Sequence, residues 1–155
     1  SAYMLGNGEE VMLAATDLLA ETKVAPELSN EAHYYRAKAY LDAGKVEGAM
    51  DDLKILAKDT RNIYGAEAKY KVAQIYFDAG QTGQAEKEVL DYIEVSTPHT
   101  YWLARSFVLL SDVYMKLGRN LDAKQYLLSL KQNYQADDDI AGMIESRLNK
   151  LNAEN

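Results

Sequence analysis

Apolar residues recur at the three- and four-residue spacing of amphipathic helices along almost the whole chain. In residues 9–21, for example, Val11, Ala15 and Leu18 fall on one helical face. The two glutamates that precede them in the sequence favour a helix N-terminus. Similar patterns predict further helices over about 29–43, 46–59, 64–79, 82–95, 98–117, 120–134 and 137–151. The pattern therefore predicts eight helices joined by short turns, without strands, and hence an all-α protein.

Three of the predicted helices begin with residues that are typical of helix N-termini. Ser29 or Asn30 is predicted to cap the second helix, and Thr97 to cap the sixth, with Pro98 as its first residue. Asp137–Asp139 are expected in the first turn of the last helix, where carboxylates interact favourably with the helix dipole. This last helix is predicted to cap the others, because it has one charged and one apolar face. The apolar face consists of Ile140, Met143, Ile144, Leu148 and Leu151.

A ten-residue sequence occurs three times with the same key residues. Residues 40–49, 76–85 and 114–123 each begin with Tyr, have Gly four positions later and end with Ala. Successive copies are 36 and 38 residues apart, and a fixed period of this length is typical of stacked helical repeats. Gly8 lies 36 residues before Gly44, so the first helix is predicted to be the second half of a further, incomplete repeat.

The repeated residues resemble the tetratricopeptide repeat, whose helix pairs recur at a period of about 34 residues. The third copy matches the pattern of that family best, with Phe107, Leu110, Ser111, Tyr114, Ala123 and Leu127. The first copy departs from it, because His33 stands at the aromatic position and Arg36 at the leucine position. The second copy has Lys69 at the aromatic position.

The resemblance implies an all-α, right-handed superhelical stack of antiparallel helix pairs, an α-solenoid, with a C-terminal capping helix. We expect one repeat domain over residues 1–155, as a piece of a longer protein. Its parts are a half repeat (7–25), three repeats (29–62, 64–97 and 98–135) and the capping helix (137–152). Small residues are expected where the helices of a pair cross closely, beneath buried Tyr40, Tyr76 and Tyr114. These small residues are Ala37, Ala49, Ala73, Ala85, Ser111 and Ala123.

Composition and the few candidate reactive residues argue against several function classes. The net charge of −7 opposes binding to a nucleic-acid backbone, and the apolar run 102–117 contains three charged residues, which opposes a membrane span. The chain has no cysteine, and His33 and His99 lie 66 residues apart, so neither a metal site nor a cofactor site is predicted. No catalytic triad or phosphate-binding loop is recognisable, and we expect a protein that is not an enzyme.

The resemblance implies a scaffold that binds a peptide or protein segment in a concave groove lined by the first helix of each pair. Tyr34, Tyr70 and Phe77 are expected to anchor an apolar side chain, and Asp112 to repel a ligand carboxylate. The carboxylate clamp with which some family members hold chaperone tails is absent. The predicted groove residues are Tyr34, Lys38, Leu41, Tyr70, Gln74, Phe77, Arg105, Val108, Asp112 and Met115.

Other interpretations of the same residues stay open. The groove tyrosines could pack only against the next repeat, or could recognise a glycan. The chain could also be a structural module within a longer array, and weak self-association is expected through the first helix, whose face of Val11, Ala15 and Leu18 would be partly uncovered. The long period looks like that of bacterial cell-envelope proteins such as outer-membrane assembly lipoproteins. We therefore expect a periplasmic or outer-membrane-associated protein rather than a cytoplasmic one.

Overall fold

The computed structural model describes residues 8–20, 26–95 and 97–153, which form eight α-helices and no strand. The prediction of an all-α protein is confirmed. In the part of the chain that is described, no helix is both long and apolar enough to cross a membrane. The helices are α1 (Gly8–Ala20), α2 (Pro26–Asp42), α3 (Val46–Leu56), α4 (Ile63–Asp78), α5 (Thr82–Glu94), α6 (Thr100–Lys116), α7 (Asn120–Asn133) and α8 (Ile140–Ala153).

The predicted N-terminal residues of α2 and α6 are wrong. Ser29 and Asn30 lie inside α2, which already begins at Pro26, a residue that needs no backbone donor at a helix start. Helix α6 begins only at Thr100, because the Thr97 hydroxyl accepts a hydrogen bond from the His99 N–H at 3.1 Å. Such a local bond between a side chain and the backbone stabilises a turn in place of the first helical residues.

The C-terminus of α3 and the N-terminus of α8 also differ from the predicted ones. Helix α3 stops at Leu56, three residues early, and the following turn brings Asn62 to the start of α4, where its side chain accepts a hydrogen bond from the Tyr64 N–H at 2.8 Å. The aspartates 137–139 precede α8 instead of forming its first turn. Asp138 caps the helix by accepting a hydrogen bond from the Ile140 N–H at 2.9 Å.

The chain divides into two compact units, residues 1–72 (unit 1) and 73–155 (unit 2), with the boundary inside α4. In unit 1, α2 packs against both α1 and α3. In unit 2, α6 packs against α5 and α7, and α8 covers α6 and α7. The apolar face of α8 does so as predicted, since Ile140, Ile144, Leu148 and Leu151 are buried and Met143 is half-buried.

The three copies of the repeated sequence end their first helices in the same way. Gly44, Gly80 and Gly118 have φ angles of 75°, 80° and 76°, in the left-handed region that glycine adopts without steric cost. In each copy the residue after the glycine donates its N–H to the carbonyl oxygen of the repeated tyrosine, at 2.7 or 2.8 Å. This bond belongs to the Schellman motif, so the shared residues produce one helix ending three times.

Burial of the repeated residues agrees with the sequence pattern for the small side chains and only in part for the tyrosines. Tyr114 is buried, whereas Tyr40 and Tyr76 are half-buried, so the prediction of three buried tyrosines is wrong for two of them. All six small residues predicted at close crossings are at most 1% exposed: Ala37, Ala49, Ala73, Ala85, Ser111 and Ala123.

Helix α1 is better covered than the sequence suggests. Val11 and Ala15 are buried, and α1 packs against α2, so the prediction that these two residues are partly uncovered is wrong. Leu18 is half-buried, and the large apolar side chain of Leu13 is 61% exposed. Self-association through α1 stays a prediction.

The start of α4 passes very close to the end of α3 at Gly65. A Cβ atom on this residue would lie 1.9 Å from the carbonyl oxygen of Asp59 and 2.5 Å from that of Leu56. Gly142, which like Gly65 is the third residue of its helix, would place a Cβ with nothing within 4 Å. Of these two positions, it is at Gly65 that the packing requires the side chain to be missing.

Candidate functional site

A buried charge cluster includes the two positions, His33 and Arg36, at which the first copy of the repeated sequence differs from the third. Asp52 of α3 is fully buried, and its carboxylate accepts hydrogen bonds from Arg36 Nε at 2.8 Å and Arg36 Nη2 at 2.6 Å. His33 Nδ1 donates to the same carboxylate at 2.8 Å. These charge-assisted bonds connect α2 to α3, and the hydrogen bonds that Arg36 donates to Asp52 raise the pKa of Arg36.

The same positions of the third copy, 74 residues later, hold apolar side chains. Phe107 corresponds to His33 and Tyr126 to Asp52, and the two rings lie 6.1 Å apart between centroids. Leu110, which corresponds to Arg36, is fully buried. One pair of crossing helices therefore uses ionic contacts where the other uses aromatic ones. In the ionic arrangement, the fully buried Asp52 carboxylate is enclosed by its two partners.

Among the predicted groove residues of unit 1, Tyr34 is held by several neighbours. Its ring centroid lies 4.7 Å from that of Tyr64 on α4, and its hydroxyl donates to the Glu67 carboxylate at 3.1 Å. Lys38 donates to the Tyr34 hydroxyl at 3.4 Å, and Lys71 forms an ion pair with Glu67 at 2.6 Å. Burial, and after it the charge of Glu67, raises the pKa of Tyr34. These contacts agree with the alternative interpretation from the sequence, in which Tyr34 packs against the next repeat.

The other two predicted residues of unit 1 differ in exposure. Leu41 is half-buried near the end of α2, where its carbonyl oxygen accepts a hydrogen bond from Gly44 N–H at 3.0 Å. Tyr70 is only 8% exposed, so its side chain offers little surface to a ligand. Its predicted role as an apolar anchor has little support in this structure.

In unit 2, three predicted residues come together in one open groove. Phe77 at the end of α4 and Met115 near the end of α6 supply apolar side chains, and Asp112 lies one helical turn before Met115. The groove has a volume of about 320 Å³, within the range of sites that accept a few side chains or a small ligand. Lys116 and Lys150 complete its lining.

Asp112 is not available to repel a carboxylate in the way the sequence suggests. Arg147 of α8 binds it with two parallel hydrogen bonds, from Nε at 2.7 Å and from Nη2 at 2.9 Å. Both side chains are about one quarter exposed, at 27% and 25%. This paired geometry neutralises the carboxylate and fixes α8 against α6. The expectation that Asp112 repels a ligand carboxylate is therefore corrected, because Arg147, 35 residues away in the sequence, compensates its charge.

The remaining predicted residues of unit 2 lie outside the lining of this groove. Gln74 donates to Asp78 at 2.8 Å, and Val108 is only 3% exposed. Arg105 donates to the Tyr101 hydroxyl at 3.2 Å, and its guanidinium lies 5.9 Å from the centre of the Trp102 ring. These residues are occupied by contacts within their own unit, and Val108 offers almost no surface.

Of the two lysines in the groove lining, Lys116 lies at a position that counting along the repeat also assigns to the groove, two residues after Tyr114, whereas Lys150 was missed by the sequence analysis. Lys116 directly follows the predicted Met115. Lys150 belongs to the helix that was interpreted only as a cap. The buried stripe of α8 contains Leu148 and Leu151, and position 150 borders that stripe on a helix. That spacing places Lys150 beside the packed face, but only the fold shows which surface it borders.

Comparisons of this chain with protein-family models, with curated proteins and with solved structures find no match.

Proposed function

We propose that the chain is a protein-interaction module of the tetratricopeptide-repeat type, built from stacked helix pairs, and that it acts by binding alone. Its ligand is a segment of another protein that inserts a large apolar side chain between Phe77 and Met115. The observation that carries the proposal is the open groove in unit 2, which is lined by three of the residues chosen from the repeat pattern.

The repeat assignment is supported by two kinds of contact. The three Gly turns share one backbone geometry, and the small residues of all three copies are buried. In addition, α2 packs on α3 and α6 packs on α7, as the two helices of a repeat are expected to do. Residues at the ends of first helices in this family line a ligand groove, and Phe77 and Met115 each follow the tyrosine of their copy by one position.

The groove itself supports binding to a protein segment rather than catalysis. Its apolar floor is bordered by charged side chains, which is the arrangement of a site that takes an apolar anchor and excludes water around it. Among the described residues of its lining, the one carboxylate, that of Asp112, is paired with Arg147. Both oxygens of this carboxylate accept hydrogen bonds from the guanidinium, so its position supports a link between α6 and α8.

Selection from a random dodecapeptide library displayed on phage tests the proposal. Peptides enriched on the whole chain are then synthesised and titrated by calorimetry against the parent and the Phe77→Ala/Met115→Ala variant. We expect the double variant to lose more than about 2 kcal/mol of binding free energy, the scale of an interface hot spot, with an unchanged helical signal. Leu121→Ala is the matched control, since Leu121 is 72% exposed on α7 and lies outside the groove lining.

The proposal is refuted if no peptide is enriched, or if the enriched peptides bind the double variant as tightly as the parent. A loss that the Leu121→Ala control shares equally would also count against it, because the effect would then not be specific to the groove.

A further inference from the structure

The lining of the unit 2 groove has a charge opposite to that of the chain. With Arg147, which contacts Asp112, the groove has three cationic side chains and one carboxylate, a net charge of +2. The whole chain has a net charge of −7. A positive site on an acidic protein attracts acidic ligands locally, while the rest of the surface repels those that bind elsewhere.

Both groove lysines have exposed side chains. Within the described residues 8–20, 26–95 and 97–153, neither Lys116 nor Lys150 forms an ion pair. By contrast, Arg147 is committed to Asp112 by its paired hydrogen bonds, and it also donates to the Met143 carbonyl oxygen at 3.1 Å. The guanidinium thus compensates the charge of Asp112, which is the carboxylate among the described lining residues, and the two exposed amino groups can meet carboxylates of a ligand.

The two lysines reach the groove from different helices. Lys116 is the last residue of α6, and Lys150 lies in the last turn of α8, while Phe77 and Met115 provide the apolar floor. A single terminal carboxylate would neutralise only one of the two lysine charges. An internal segment with one acidic residue on each side of an apolar residue can neutralise both, and it places its apolar side chain on the floor of the groove.

We propose that this groove selects an internal, acidic protein segment in which a large apolar side chain is flanked by Asp or Glu. In this arrangement Arg147 is a positioning residue that sets the preference by neutralising Asp112. The proposal rests on the proposed function, because it specifies the chemistry of the partner of the same groove. It also gives α8 a part in binding in addition to its part in covering α6 and α7.

The selection is repeated with the Lys116→Glu/Lys150→Glu variant of the full chain. Peptides enriched on the parent should carry carboxylates around the apolar residue, and those enriched on the variant should carry lysine or arginine there. The acidic peptides should bind the variant at least tenfold more weakly than the parent. Raising NaCl from about 0.05 M to 0.5 M should weaken the parent complex several-fold, because salt screens exposed charges.

Arg147 is tested by charge rescue. Arg147→Gln should weaken binding of an acidic peptide, and the additional change Asp112→Asn should restore most of it, since the carboxylate left without its partner is then removed. A merely structural role of Arg147 predicts no rescue, because the second change cannot re-form the link between α8 and α6. Circular dichroism of each variant shows that the helices are retained.

The outcomes separate this inference from the proposed function. Peptides that depend on Phe77 and Met115 but show no preference for acidic residues overturn the inference and leave the groove as a binding site. Peptides that ignore Phe77 and Met115 overturn the proposed function. If amidation of the peptide C-terminus abolishes binding, the recognised carboxylate is terminal, and the assignment to an internal segment is wrong.

Discussion

The buried cluster of His33, Arg36 and Asp52 makes a quantitative prediction about stability. Asp52→Ala removes a carboxylate that accepts three hydrogen bonds in a site where its side chain is only 1% exposed. Removing one partner of a buried ion pair costs about 3–5 kcal/mol, because the other charge is left without compensation. The Arg36 side chain is 19% exposed and also donates to Thr16 at 3.2 Å, which gives it partial compensation. We therefore expect a loss near the lower end, about 3 kcal/mol.

The third copy shows how the same crossing can be made without charges. The triple variant His33→Phe/Arg36→Leu/Asp52→Tyr places the side chains of Phe107, Leu110 and Tyr126 at the corresponding positions of the first copy. Replacing a buried ion pair by well-packed apolar residues is often neutral or stabilising by about 1–4 kcal/mol. The triple variant is thus expected to recover at least the stability that Asp52→Ala loses.

Urea unfolding followed by circular dichroism measures both effects, with the slope of the transition checked against that of the parent. The single tryptophan, Trp102, lies in unit 2, so its fluorescence shows whether that unit unfolds in the same transition. A cost of less than about 1 kcal/mol for Asp52→Ala would mean that the cluster is no more than a surface ion pair. A triple variant as unstable as Asp52→Ala would refute the correspondence between the two copies.

Three further predictions concern single positions. Gly65→Ala should destabilise the protein by about 1–3 kcal/mol in a urea titration, because the new methyl group overlaps backbone oxygens. Gly142→Ala should stabilise it by about 0.5–1 kcal/mol, because the added methyl group meets no neighbour. Changes of equal sign in the two variants would contradict the close approach at Gly65. Ala85→Leu should cost about 1–3 kcal/mol through overpacking at a fully buried site, and an unchanged midpoint would mean that this crossing is looser than described. Burial, and after it Glu86, raises the pKa of Tyr114 to about 12 in the folded protein, above the ordinary value of about 10. The stability that comes from this raised pKa is therefore complete below pH 10 and is lost as the pH rises towards 12. Tyr114→Phe should then reduce the fall in the free energy of unfolding at alkaline pH. An equal fall in the parent and the variant would refute this.

The features that could be predicted from the sequence are those that depend on neighbouring residues in the chain. The glycine turns follow from this rule, since only glycine adopts the left-handed φ of Gly44 without cost. The small residues follow as well, because close crossing requires them at fixed helical positions. Helix starts were less predictable, because a single side-chain bond, such as that of Thr97 to the His99 N–H, shortens a helix without changing its apolar pattern.

The candidate site was only partly predictable, because its chemistry depends on contacts between distant residues. Counting along the repeat selected Phe77, Asp112 and Met115, which line one groove of unit 2, and their role in binding stays a prediction. The same counting could not show that Tyr70 is buried, since its exposure depends on the packing of other helices. It also treated Asp112 as a free negative charge, whereas Arg147 neutralises it from α8. A pattern within one helix gives a position, but the charge of a site is a property of all the helices around it.

The departures from the repeat pattern are informative for this reason. His33 and Arg36 each look like an isolated defect of the first copy, yet both serve the same buried Asp52 on the next helix. Because one carboxylate satisfies both, no single replacement restores the apolar pattern without leaving a buried charge, and the three positions have to change together. In α8, by contrast, the exposed Lys150 borders the buried covering residues without belonging to them. A substitution at Lys150 is therefore expected to change the charge of the groove and to leave the packing on α6 and α7 the same.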